Sequence, residues 1–212
     1  MQIEDRTSNS SFKIPLIFLA VIWFLFLYQY TMNINLTVLA LKPRDSHALL
    51  GILFGSLLHG NWEHLIGNTI GLIIGFSFLY FFYSKVANKV LLAAYVFPSI
   101  AVFIFGRGEL ESCTGHIGSS GILYTVIWFL IAIGFFRRTD WVSVLISLIF
   151  VILYARTLIG ALPGQDGISF EYHFFGLICG VICAAYLKDD VDPYEPLRKL
   201  FNKVREIPSK IS

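Results

Sequence analysis

Residues 117–136 read IGSSGILYTVIWFLIAIGFF, twenty positions without a charged side chain. A helix needs about 20 mostly apolar residues to cross the hydrocarbon core of a bilayer. Polar loops flank this stretch, Gly106–Gly115 before it and Arg137-Arg138-Thr139-Asp140 after it. It therefore reads as a membrane-spanning helix. Its opening is unusual for one: Gly118-Ser119-Ser120-Gly121 sets two hydroxyls and two glycines where a helix has unpaired N–H groups and a partial positive charge.

Five further stretches come close to spanning length: Ile14–Met32, His64–Tyr83, Val86–Phe105, Trp141–Gly160 and Phe170–Leu187. Lys42-Pro43-Arg44-Asp45, Ser84-Lys85 and Pro163-Gly164-Gln165-Asp166-Gly167 separate them. Ala48–Leu58 is apolar but too short to span, and is expected as a helix at the interface or packed against the bundle. Over all 212 residues 56% are hydrophobic and only 14% charged, and mean hydropathy is +0.71. Soluble domains carry about 25% charged residues, and disorder needs low hydrophobicity. The fold class is an all-α polytopic membrane protein, a six-transmembrane-helix bundle.

Lys and Arg near span ends favour the cytoplasmic side. With the N-terminus inside, twelve of the sixteen cations are cytoplasmic, three (Lys42, Arg44, Arg107) lie in outer loops, and Arg156 falls near the outer end of the fifth span. Both termini are therefore expected in the cytoplasm: a short N-terminus over 1–13, the membrane domain over 14–187 and a C-terminal tail over 188–212. The net charge of +2 and scattered cations do not suggest a nucleic-acid partner, and none is expected. Cys179 and Cys183 share an apolar helical face and Cys113 stands alone, so neither a disulfide framework nor a cysteine metal site is expected.

Polar groups inside spans are costly and mark function. At the outer start of the second span His64 and Asn68 are four apart and share a face, with His59 further out near the headgroups. Gly118–Gly121 opens the fourth span. In the sixth, His173 precedes Gly176, Gly180 and Ala184, a small-residue stripe that admits another helix closely. If spans four and six pack through these glycines, Ser120 and His173 meet. Histidine is then the base that a serine nucleophile needs. N–H groups around Ser119 and Ser120, with His64 and Asn68, could hold an oxyanion. Such a site needs no metal and no cofactor. Each motif alone has an ordinary packing explanation. His116, four residues before Ser120, either assists the site or is a plain interface histidine.

The residues His59/His64/Asn68, Gly118-Ser119-Ser120-Gly121 and His173/Gly176/Gly180, in this order on spans two, four and six, resemble the rhomboid family of intramembrane serine proteases. The resemblance runs through all six spans and includes Tyr124, a family position whose ring packs on the catalytic histidine. It implies a Ser120–His173 dyad, an oxyanion site of His64, Asn68 and Ser119, and support from Tyr124, Gly118, Gly121, Gly176, Gly180 and His59. It also implies single-span membrane proteins as substrates, cut near the outer membrane face, and a bacterial inner membrane as the location. Many members carry a Trp-Arg pair eight to nine residues before the first histidine, where this chain has Leu50-Gly51. A catalytically idle relative that binds membrane clients is the alternative, and a small transporter a weaker one.

Overall fold

The computed structural model describes residues 12–107, 115–163 and 169–206. Cys113, Gly164–Gly167 and the first eleven residues lie outside that set. Among the described residues every regular element is a helix, with one isolated antiparallel bridge between Leu41 and His116. The chain is an integral membrane protein. Four helices are long and apolar enough to cross a bilayer: α1 (Lys13–Met32), α3 (Trp62–Phe82), α4 (Ser84–Phe105) and α8 (Phe170–Leu187). Helix α2 (Leu50–Phe54) is a short element before α3, and α5 (Ser120–Phe136) and α6 (Trp141–Tyr154) are shorter apolar helices. A single turn, α7 (Thr157–Gly160), follows α6, and α9 (Glu195–Glu206) closes the described chain.

The helix starts follow from capping chemistry. Asn61 accepts the His64 N–H at 2.8 Å to open α3, and Asp140 accepts from Val142 and Ser143 to open α6. These side chains satisfy N–H groups that have no intrahelical partner and that lipid would leave stranded.

Helix α5 is the axis of the bundle. Thirteen of its seventeen residues are buried, as expected of a helix that is apolar all round. Small residues let its neighbours close on it. A Cβ on Gly176 would lie 2.5 Å from the Gly121 carbonyl oxygen, and one on Gly180 would lie 2.8 Å from the Phe129 nitrogen. Helices α5 and α8 thus touch backbone to backbone, the glycine-face packing expected of spans four and six. On another side Gly71 and Gly75 of α3 receive the side chains of Leu123 and Val126.

Two boundaries differ from expectation. The fourth span begins at Ser120 rather than Ile117. Gly118 has φ +110°, which a right-handed helix excludes. Its N–H donates to the Gly55 carbonyl at 2.9 Å, while Leu41 and His116 exchange two backbone hydrogen bonds. Non-helical backbone is tolerated at membrane depth only when protein buries and pairs it, and these contacts do that. Seventeen residues rise only about 26 Å, so α5 is shorter than a full span. The fifth expected span, Trp141–Gly160, stops at Tyr154 and resumes for one turn at Thr157. There the Thr157 hydroxyl donates to the Tyr154 carbonyl at 2.6 Å.

The stretch Ala48–Leu58 folds as 3₁₀ and α turns against the bundle. A Cβ on Gly51 would sit 2.5 Å from Leu41 Cα. The Leu50-Gly51 departure therefore matches a loop whose backbones touch where a large side chain has no room. The Tyr95 hydroxyl bonds the Leu53 carbonyl, and Arg44 donates to the carbonyls of Ile104 and Gly106 at 3.2 and 2.8 Å. Both hold this loop to α4.

Candidate active site

A cavity of about 610 Å³ opens at one end of the bundle. Among its lining residues are His64 and Asn68 from α3, Ser120 and Tyr124 from α5, and His173 from α8. Three helices far apart in sequence thus bring five of the expected site residues to one space. His59, Gly118, Ser119, Gly121, Gly176 and Gly180 are not part of its lining.

Ser120 occupies the first turn of α5, and Ser119 makes no side-chain cap there. The N–H groups of that turn have no intrahelical carbonyl to bond, because the first such bond runs from the Leu123 N–H to the Ser119 carbonyl at 3.0 Å. An uncapped N-terminus opening on a cavity favours negative charge. Gly118 lies directly under His64, and a Cβ there would fall 2.5 Å from His64 Nε2. Positive φ and lack of space both require glycine at this position.

Two contacts orient His173. Its Nδ1 lies 2.8 Å from the Gly160 carbonyl. A carbonyl only accepts, so Nδ1 carries the proton and Nε2 of the neutral ring holds a lone pair. The ring stacks on Tyr124, with centroids 4.1 Å apart and planes 6° from parallel. Ser120 and His173 line the cavity without a direct hydrogen bond between them. Such bonds are often long before substrate is bound.

His59 lies behind the cavity and contacts two of the expected site residues. It is buried within the protein, with 1% of its surface exposed. The chain after Gly55 turns inward, and the Gln29 side chain donates to the His59 carbonyl at 2.7 Å. Asn68 Nδ2 lies 3.1 Å from His59 Nε2, and Ser119 Oγ is 3.2 Å from the same atom. Burial, aided by repulsion from His64, pushes the His59 pKa down to about 3, so the ring is neutral and accepts the Asn68 N–H. The Asn68 amide keeps a second N–H. The Ser119 hydroxyl, fully buried, turns toward His59 and leaves the cavity to Ser120.

A polar cluster beside the cavity was not singled out by the sequence patterns. Glu171, two residues before His173, is 4% exposed. Arg107, just past the end of α4, grips it with Nε 2.6 Å and Nη2 3.4 Å from the two carboxylate oxygens. His116 Nε2 donates to the Arg107 carbonyl at 3.1 Å, and Nδ1 accepts from Ser169 Oγ at 2.6 Å. Ser169 in turn accepts the Tyr172 N–H and caps α8. Burial lowers the His116 pKa and keeps the ring neutral. Both its nitrogens are engaged, joining the chain after α4 to the start of α8. A carboxylate in the first turn of an apolar helix was the available signal, because a buried acid needs a cation.

Comparison with known proteins shows the family. The Rhomboid domain model matches residues 46–189. An uncharacterized protein of Mycobacterium tuberculosis is 33% identical over 184 residues, covering 81% of this chain and 72% of the relative. An uncharacterized protein of Mycobacterium bovis matches with the same figures. A third, from Mycobacterium leprae, is 32% identical over 177 residues, covering 81% and 69%. The match takes in every helix that lines the cavity, and the chain belongs to the rhomboid family.

Proposed function

We propose that this protein is an intramembrane serine endopeptidase that cuts single-span membrane proteins near the outer membrane face. The observation carrying the proposal is the shared cavity, in which Ser120, His173, His64 and Asn68 converge with the His173 Nδ1 proton already committed to Gly160. Family membership supports the reaction class.

In this reading His173 Nε2 takes the proton of the Ser120 hydroxyl as Oγ attacks the scissile carbonyl carbon. The carbonyl oxygen becomes an oxyanion, held by first-turn N–H groups of α5 with His64 and Asn68 donating. His173 then gives its proton to the leaving amine, the C–N bond breaks, and an ester to Ser120 remains. Water, deprotonated by His173, attacks that ester and releases the acid. The substrate helix must unwind locally first, since a helical carbonyl is already paired. The positive-inside pattern supports an outward-facing cavity with both termini in the cytoplasm; the apolar runs support a membrane unit over 14–187, and the family resemblance supports a bacterial inner membrane as its location.

The test is labelling of the purified, folded protein with a serine-directed fluorophosphonate. Wild type should label, and Ser120→Ala and His173→Ala should not. Folded wild type that stays unlabelled would support the idle relative instead, and labelling that survives Ser120→Ala would remove this nucleophile. His64→Ala and Asn68→Ala should each lower kcat by about 100-fold or more with little change in KM.

A further inference from the structure

At the end of the bundle opposite the cavity, α9 bears an apolar stripe. Leu197, Leu200, Phe201 and Val204 follow one helical face, and all four are exposed, the last three by 58%, 61% and 56%. Apart from Pro196 and Asn202 the rest of the helix is charged, Arg198, Lys199, Lys203 and Arg205 against Glu195 and Glu206, with Arg198 paired to Asp192 and Lys199 to Glu195. A largely charged helix whose few apolar residues gather on one face lies in a membrane interface rather than across the bilayer. Twelve residues are also too few for a stable helix in water without a surface to pack on.

The neighbourhood says which surface that is. Tyr194 immediately precedes α9, and its ring meets the exposed Trp141 at 6.1 Å. Trp and Tyr at span ends mark the headgroup level. The Lys85–Glu195 contact at 3.7 Å ties the start of α9 to the start of α4, so the helix leaves the bundle at that depth. Among the described residues this end carries ten Lys and Arg against six Asp and Glu, while the cavity end carries four against three. Net positive charge beside an apolar stripe fits an anionic leaflet.

We infer that α9 docks on the bilayer surface opposite the cavity, its Leu197–Val204 stripe among the acyl-chain ends and the net positive end of the bundle against anionic phospholipids. This rests on membrane integration and is independent of any peptidase activity.

Hydrogen exchange of the full chain in lipid nanodiscs tests it. Amides of 197–206 should exchange about tenfold more slowly in discs containing phosphatidylglycerol than in discs of phosphatidylcholine alone. Leu200→Gln/Val204→Gln keeps helix propensity while removing the stripe, and should abolish protection in both lipids with the bundle unchanged. Lys199→Gln/Lys203→Gln should erase only the difference between lipids. Fast exchange of wild type in every disc would overturn the inference. So would protection seen only in discs holding two copies, which would assign the stripe to a second chain.

Discussion

The imidazole of His173 lies flat on the ring of Tyr124, with centroids 4.1 Å apart, while its Nδ1 is bound to the Gly160 carbonyl. One contact sets the plane of the ring and the other sets its rotation within that plane. Nε2 is therefore aimed by two residues from different helices, neither of which needs to take part in chemistry.

Loss of the stack should cost turnover rather than binding. Aromatic stacking contributes about 0.5–1.5 kcal/mol, so Tyr124→Ala should lower kcat by roughly tenfold with KM nearly unchanged. Tyr124→Phe keeps the ring and should stay within about threefold of wild type. Steady-state cleavage of a model transmembrane substrate separates the two, and equal loss in both variants would argue that the hydroxyl matters instead.

Glycine substitutions should split by position. At Gly176 a methyl would meet the Gly121 carbonyl, whereas nothing lies within 4 Å of a Cβ on Gly67. Overpacking costs about 1–3 kcal/mol, while Gly to Ala in an open helical site gains up to about 1 kcal/mol. Thermal unfolding in detergent should show Gly176→Ala less stable than wild type and Gly67→Ala equal or more stable.

The Arg107–Glu171 pair ties the end of α4 to the first turn of α8. Arg107→Ala strands a buried carboxylate and should destabilise the protein more than Glu171→Gln does, because the guanidinium left by the second change is half exposed and stays solvated. Adding Glu171→Gln to Arg107→Ala should recover part of the loss. Melting temperatures of the three variants check this; strict additivity would mean the two groups act separately.

Acid should weaken the fold through His59. In the folded state its pKa is about 3 against an ordinary 6.5, so between these values the unfolded chain binds a proton that the folded one excludes. Stability is complete above about pH 6.5 and falls as pH drops toward 3. The linkage amounts to up to about 2 kcal/mol at pH 5. His116, also lowered by burial, adds in the same direction. Melting at pH 7 and pH 5 should show the drop, and His59→Gln should reduce it even though the variant starts less stable.

Much of this was legible in the linear chain. Uncharged runs such as 117–136 announce membrane helices because lipid punishes exposed charge and unpaired backbone alike, and that penalty is local. The glycines at 176 and 180 foretold close helix contact for a similar reason: a missing side chain can be read without knowing its neighbour. Helix ends were harder. Nothing near Ile117 shows that Gly118 takes φ +110°, because the partner that holds it, the Gly55 carbonyl, lies sixty-three positions away.

What the sequence determined by itself was the class of fold, the order of the spans and the residue types able to do chemistry, since each follows from short-range rules of burial and periodicity. Only the tertiary structure decided which polar groups meet. It set His59 against Asn68, turned Ser119 toward His59, and gave Glu171 its partner in Arg107. Hydrogen bonds and ion pairs depend on approach within about 3 Å, and in a bundle of crossing helices that proximity is set by packing, which no single stretch of chain encodes.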